Sequence, residues 1–448
     1  MAAQWWLVAR AGTDIPFRDQ WDVEGLSLYP AWRDGTLRLG ALFQAHNEHR
    51  IVWTHLINLS LFVVNGQWDP LLQMAAGAGL HAFGAGFLVR ELARGCTTWK
   101  VQGGIAAGVA LAFLPLAAWH NALWGFQTQF YFALIFSLMA LAWLGAADPT
   151  PVRLLAGLAA GLAAMLSMGS GELVPVALLG LMVLRALAKR RLEGVWRSVW
   201  PALVLLVVAV VLMKSVPPDK VLQSWYTHSP RQLIVGFMRA IAWPHVDQPL
   251  AALVLNLPLG LAVIGRMASR RQPRTGEDFV LLLAGWAAAN ALAMAWARGG
   301  APEFQAGIVP SRYVDFLVLL PLANTWCASV LAAEALGPWR LRARVLTTVW
   351  CAFLFLGWLG VSLEAWRGVV QPRMQDRLAP VRVMVAFQES GDGRVFIGEP
   401  PLDVPHLNMP LMMTVLHDPR MQGALPPSLQ PKRPLGPLSR AVRTLMGQ

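Results

Sequence analysis

Long stretches of this chain carry no charged side chain, and that property leaves few folds open to it. Residues 101–147 hold no Asp, Glu, Lys or Arg at all, and shorter runs of the same kind recur as far as position 363. In a bilayer each backbone N–H and C=O must be bonded within its own segment, so apolar runs of about 20 residues are read as membrane-crossing helices. Candidate spans fall at 70–90, 101–119, 123–145, 152–168, 172–188, 198–214, 249–265, 278–297, 313–335 and 345–364. Ala, Leu, Gly and Val dominate them, and Gly and Pro are tolerated inside such helices. The expected fold class is all-α, a polytopic membrane protein of about 10 or 11 crossing helices.

The formal charge of +12 would suggest nucleic acid in a soluble protein, but here it follows from topology. Lys and Arg gather in short loops: Arg90, Arg94 and Lys100; Arg153; Lys189, Arg190 and Arg191; Arg266, Arg270, Arg271 and Arg274; Arg340, Arg342 and Arg344. All five loops return to one side of the span pattern, which makes that side cytoplasmic. No nucleic-acid partner is implied. The outer side then receives 10–68, 120–127, 169–172, 215–248, 298–312 and the tail from 365. Cys96, Cys327 and Cys351 are too few and too scattered for a disulfide framework or a zinc knuckle.

The chain divides into four parts: 1–9, a possible truncated first transmembrane helix; 10–68, an outer first loop with interfacial helices; 69–364, the helical bundle; and 365–448, an outer tail. The opening MAAQWWLVA is apolar but too short to span, and an interfacial anchor through Trp5 and Trp6 is the other reading. Residues 48–66 contain His55, Asn58 and Asn65, so they read as an amphipathic helix at the interface, continuous with 26–43, and not as a span. The Pro-rich tail has only short apolar patches, VRVMVAF and RVFIG, and is expected to form a small hairpin-like cap.

Most of the acid–base chemistry sits in residues 10–50, which gather Asp14, Asp19, Asp22, Glu24, Asp34, His46, Glu48, His49 and Arg50 in a chain with only 14% charged residues. Asp19-Gln20-Trp21-Asp22 reads either as a base near the membrane surface or as the capping acids of the helix that follows. In His46-Asn47-Glu48-His49-Arg50 the two His, three apart, would share a helical face and admit a divalent cation, although no third ligand is fixed and no metal site is assigned. The same segment reads as a phosphate site through His49 and Arg50, or as a polar helix start with Arg50 snorkelling to headgroups. Arg312, in Ser311-Arg312-Tyr313, needs an anionic partner at its depth, while Tyr313 alone would be a belt anchor. Trp124, Gln127 and Glu172 lie at outer helix ends, and the 215–248 loop adds an amphipathic segment at 232–243. Their convergence on one side describes an outward-facing polar cavity over a bundle. No Walker loop, Rossmann fingerprint, GxSxG or HExxH occurs, and Gly169-Ser170-Gly171 resembles a phosphate loop only superficially.

An acidic motif after the first helix, interfacial helices ending in a charged motif, many spans and a late Arg-Tyr opening a helix together resemble the C-type (GT-C) glycosyltransferases, such as protein O-mannosyltransferases and the aminoarabinose transferases of lipid A. HNEHR, WGFQTQFYF, SRY and LMMTVLHDPR…LP look like those of bacterial multi-spanning proteins grouped with that superfamily. The resemblance implies transfer of a sugar from a polyprenyl-phosphate donor to an acceptor glycan, lipid or protein, on the periplasmic face of a bacterial inner membrane. It implies Asp19 as base, matching the first acid of an Asp-Glu motif in which Gln20 replaces the Glu, so that Asp22 remains a rival. It implies His49, Arg50, Arg312 and Tyr313 at the phosphate, with His46, Glu48, Trp124, Gln127 and Glu172 around the cavity and the lipid tail between spans. A transporter or flippase for an anionic lipid or solute would use the same cavity and cations. A non-catalytic envelope-assembly protein would tolerate loss of Asp19, Asp22 or Arg312.

Overall fold

The computed structural model describes residues 1–447 apart from 97, 147–148, 190–194 and 270–273. Arg190, Arg191, Arg270 and Arg271, counted above for orientation, lie outside the described residues. The chain is helical almost throughout. Its elements in order are α1 (Ala2–Ala11), a π-helical turn (Trp21–Leu28), the hairpin β1 (Ala45–His46) and β2 (His49–Arg50), α2 (Val52–Asn65), α3 (Pro70–Leu92), α4 (Trp99–Ala112), α5 (Thr128–Leu144), α6 (Pro151–Met165) and α7 (Val174–Lys189). They continue with α8 (Val195–Lys214), α9 (Pro230–Ile241), α10 (Leu257–Ser269), α11 (Glu277–Arg298), α12 (Leu319–Glu334), α13 (Trp339–Ala365), α14 (Ala379–Ser390), α15 (Met409–His417) and α16 (Pro437–Leu445).

Helix occurs in each of the ten expected spans, and six segments among the described residues are long and apolar enough to cross a membrane: Pro70–Leu92, Gly125–Leu144, Gly169–Ala188, Glu277–Arg298, Ser311–Glu334 and Trp339–Gln375. The protein is a multi-pass membrane protein. Three others, Pro151–Met165, Val199–Lys214 and Leu257–Ala268, are apolar but shorter. The expected span 101–119 is cut short at Ala112, because Pro115 disfavours helical dihedrals at Leu114. The span expected at 249–265 breaks at Asn256, two residues before Pro258. Asn324 repairs the break: its Oδ1 accepts from Leu259 N at 3.0 Å and its Nδ2 donates to Asn256 Oδ1 at 3.0 Å.

The bundle is built on close approach. A Cβ added at Gly157 would lie 2.6 Å from the Leu144 side chain, and one at Gly161 2.7 Å from Leu205, so α6 sits tightly between α5 and α8. Small residues at such crossings allow the dispersion contacts that hold helices together where lipid offers no hydrophobic drive. By contrast α13 buries only Ser362 within the protein and turns Val345, Leu346, Val349 and Leu356 outward, a lipid-facing strip. The short α1 packs against α3, with Leu7, Val8 and Ala11 fully buried, and Gln4 Nε2 donates to Tyr131 Oη at 2.8 Å.

Two expectations fail in the first loop and the tail. The 48–66 segment does not continue from 26–43: a 3-10 turn at Leu39–Phe43 and the β1–β2 hairpin intervene, and only Val52–Asn65 is helical. The α2 helix then turns its polar face inward, burying Thr54, His55, Asn58 and Asn65, while Leu56, Val63 and Val64 are exposed. The tail forms no hairpin. Pro380 starts α14 and Gly391, in the left-handed region, stops it, so VRVMVAF is a helix. The tail and first loop share one core made of Trp21, Tyr29, Phe62 and Trp68 with Met384, Phe387, Met412 and Met421. It forms a cap over one end of the bundle.

Candidate functional site

A chamber of about 530 Å³ lies between cap and bundle. Asp19 enters it from the turn before the π-helix, and His46 Nε2 stands 3.0 Å from Asp19 Oδ2. His46 is placed by the hairpin. His46 pairs with His49 across a two-residue turn in which Asn47 takes a positive φ of 53°, a conformation Asn tolerates better than most residues. The expected sharing of a helical face by His46 and His49 is therefore corrected: HNEHR is a β-turn, because the turn residues Asn47 and Glu48 win over helical continuation. Among the described residues no group of three His, Cys, Asp or Glu side chains is arranged to hold a metal ion.

Arg312, Tyr313, Gln127, Trp124, His49 and Glu48 also line the chamber. Asn121 Nδ2 fixes the Arg312 turn, donating to its carbonyl and to Asp315 Oδ2, each at 2.8 Å. The Arg312 guanidinium lies 5.2 Å from the Tyr313 ring centre and forms no ion pair among the described residues.

Sequence reasoning missed a second cation. Arg298, the last residue of α11, reaches Glu48 Oε2 at 3.4 Å and stacks 5.2 Å from the Trp225 ring. Tyr226 donates to Glu48 Oε1 at 2.8 Å, and this bond together with burial raises its hydroxyl pKa to about 12. Arg298 ends the apolar stretch 279–297, and a lone charge at such an end is the signal the sequence offered, whereas Tyr226 lies within the polar run Gln223–Ser229 and carried none.

Beside the chamber is a second cavity of about 630 Å³ between α7, α8 and α11, walled by Val176, Leu206, Val210, Met213 and Met294. Glu48, His49, Met168, Arg298 and Tyr313 border both spaces, and Glu172 lines the apolar one. His49 fits there because position 169 is glycine: a Cβ would come 2.8 Å from His49 Nδ1. Gly169-Ser170-Gly171 is thus a packing device.

Several wall atoms are buried without a protein partner: His49 Nδ1, His120 Nε2, Trp124 Nε1 and Arg298 Nε. Burial pushes the His120 imidazole down to about 3, with Arg312 and Arg18 adding to the shift. It pushes His49 down to about 4 against the pull of Glu48, so both rings are neutral at pH 7. Unpartnered buried polar atoms are costly unless something polar meets them.

Two expected site residues lie elsewhere. Asp22 faces the tail, 3.0 Å from His406 Nε2, and does not line the chamber. Arg50 donates to the carbonyls of Leu212 and Ser215 at 3.2 and 3.3 Å, pinning the hairpin to the end of α8, and borders neither cavity. A third acid in the first loop, Glu24, is sealed away. Its carboxylate accepts from Asn58, Trp68, Gln73 and Gln20 at 2.6, 2.8, 3.0 and 3.3 Å, and burial raises its pKa against those bonds.

No family model matches the chain, and no curated protein matches it. Among solved structures, the crystal structure of ArnT from Cupriavidus metallidurans in the apo state is similar to 99% of this chain and 89% of that one, at 14% identity and a TM-score of 0.47. At that TM-score the site stands on its own residues.

Proposed function

We propose that the protein is a membrane glycosyltransferase that moves a sugar from a polyprenyl-phosphate donor to an acceptor on the periplasmic face of a bacterial inner membrane. The observation that carries this reading is the meeting of a polar chamber holding Asp19, His46 and Arg312 with an apolar cavity between helices, Arg298 standing at the junction. A polyprenyl chain fits the apolar cavity, and its phosphate comes to the junction, where Arg298 and Arg312 offset its charge as it departs.

In the transfer the bond from the sugar's anomeric carbon to the phosphate oxygen breaks and the phosphate leaves with the electron pair. An acceptor oxygen forms the new bond to that carbon and gives its proton to Asp19, whose carboxylate His46 orients. His120 Nε2 and Trp124 Nε1 meet sugar hydroxyls. Nothing in this scheme requires a metal, though a divalent cation beside the departing phosphate is compatible with it.

A transporter reading draws on one observation, the His81–Asp315 pair at 3.4 Å, which is buried inside the bundle. Release of polyprenyl phosphate from a panel of lipid-linked sugars separates the two. Turnover that is lost in Asp19→Asn and kept in Asp22→Asn supports the transferase with Asp19 as base. Binding of lipid phosphate with no turnover of any donor sinks it in favour of transport or an accessory role.

A further inference from the structure

The chamber has a second approach, on the side away from the apolar cavity. Among the tail helices lies a cavity of about 590 Å³, lined by Val369, Arg373, Asp376, Arg382, Ala386 and Leu402 among others. Between it and the chamber is a constriction of about 30 Å³, bounded by Phe17, Trp119, His120, Trp124, Val369 and Leu402. Val369, Arg373 and Leu402 belong to both outer spaces, while Phe17, His120, Trp124 and Leu402 belong to both constriction and chamber. The three spaces adjoin through these shared walls, and Leu402 borders all of them.

A strap of the tail, residues 400–405, roofs these spaces and is held from two sides. Arg373 donates to Leu402 O at 3.0 Å and pairs with the Asp403 carboxylate. Arg18, next to Asp19, donates its backbone N–H to Pro405 O at 2.7 Å and its guanidinium to Pro401 O at 3.4 Å. The strap therefore couples the outer cavity to the residue beside the candidate base.

The walls indicate what these spaces admit. Trp119, His120 and Trp124 are stacked on one another, with ring centres 4.9 and 5.1 Å apart, and Trp124 stacks on Phe126 in turn, so Trp119 is the indole at the end of the column bordering the constriction. The rim carries both signs of charge, with Arg373 on Asp403 and Arg382 on Asp376. A lipid chain has no use for that rim, and a simple anion or cation would face repulsion from half of it. A pyranose suits both features, since its C–H face lies on indole while its hydroxyls donate and accept at once.

We infer that the outer cavity and its constriction are a carbohydrate-binding site through which a sugar acceptor reaches Asp19 from beneath the tail strap. The inference rests on the transferase reading for the word acceptor, and on geometry alone for the carbohydrate site. Donor and acceptor then approach the chamber from different sides, one between helices and one through the cap.

The test places a thiol in the constriction. Val369→Cys, with Cys96, Cys327 and Cys351 replaced by Ala, is reconstituted in lipid nanodiscs, because maltoside detergents carry the proposed ligand's own chemistry. Its labelling by a membrane-impermeant maleimide is timed with and without methyl glucoside, methyl galactoside and methyl mannoside. At ligand several times above its dissociation constant, one of the three slows labelling roughly fivefold, and undecaprenyl phosphate does not. Ala386→Trp, which fills the outer cavity from an exposed position, abolishes that protection, whereas Glu389→Trp, outside the cavity, keeps it. Equal labelling rates with all three glycosides overturn the proposal, as does protection by undecaprenyl phosphate in their place. Protection without turnover of any lipid-linked donor overturns the transferase reading and the acceptor role with it, while turnover without protection overturns this proposal alone.

Discussion

Two carboxylates five residues apart in the first loop meet opposite fates. Glu24 is enclosed in a pocket where four side-chain N–H groups converge on its carboxylate, and among these neighbours Asn58 Oδ1 stays without a partner. Asp19 stands in a chamber with one imidazole partner, and nearby walls carry His120 Nε2, Trp124 Nε1 and Arg298 Nε without any. In the first region the carboxylate itself is satisfied from four sides, which is how a protein uses an acid to fix its shape. In the second, three wall atoms stay without a protein partner, and on the proposed transferase reading substrate groups meet them. The number of partners on the carboxylate, four for Glu24 and one for Asp19, is what separates the structural acid from the proposed base.

Breaking the contrast should be easiest at Asp19. Asp19→Asn is expected to lower turnover about 10²- to 10⁴-fold, the usual loss for a general base, with the unfolding midpoint unmoved. Polyprenyl-phosphate release set beside a thermal melt reads both quantities. Glu24→Ala should do the reverse first, orphaning four donors and costing about 3 kcal/mol, measured by denaturant unfolding. A loss under about 1 kcal/mol would mean that water replaces the carboxylate freely and that the pocket is not sealed.

Acid sharpens the comparison. Folded His49 and His120 hold their pKa values at about 4 and about 3, whereas in the unfolded chain they titrate near 6.5. The unfolded chain therefore binds more protons between those limits, and stability falls as pH drops from about 6.5, on the order of a few kcal/mol in all. Melts across that range test it, and His120→Phe should flatten the slope. Arg298→Ala is expected to raise the donor KM about tenfold or more, near the value of a charge-assisted bond, against less than threefold for Arg50→Ala, whose guanidinium is spent on α8 carbonyls. The smallest effect belongs to Asp22→Asn: activity within about threefold, and a stability loss under about 1 kcal/mol from its half-exposed pair with His406. Since Asp22 raises the His406 pKa, that loss should show below pH 6.5 and fade as pH climbs through the raised value.

The bundle was legible because its signal is local: twenty apolar residues declare a helix whatever surrounds them, and Pro115 and Pro258 moved only boundaries. The candidate site was legible in part. Asp19, His46, Glu48, His49, Trp124, Gln127, Arg312 and Tyr313 do share one chamber, since loops assigned to one side of a bundle have little room to diverge. The hairpin at 45–50 was not foreseen, because two residue pairs of strand leave no periodicity to detect. Arg298 was not foreseen either, because its partner Glu48 is 250 residues away. The tail misled for a further reason. Its helices are short and half-covered, so their apolar faces make sense only against Trp21, Tyr29 and Trp68.

That shared cap core sets an order of assembly. Asn65 bonds Ser439 and Asp14 bonds Arg443, partners 374 and 429 residues apart, so these contacts close only after every intervening span has been threaded into the bilayer. Until then the aromatic surface of the first loop waits uncovered, exposed to proteases and chaperones, with the candidate base not yet in place. A chain interrupted before residue 384 would own an intact bundle and no cap, and so no finished chamber. Completion of synthesis, insertion and closure of the chamber become a single event, and on the proposed transferase reading the half-made protein has no opportunity to act on the wrong substrate.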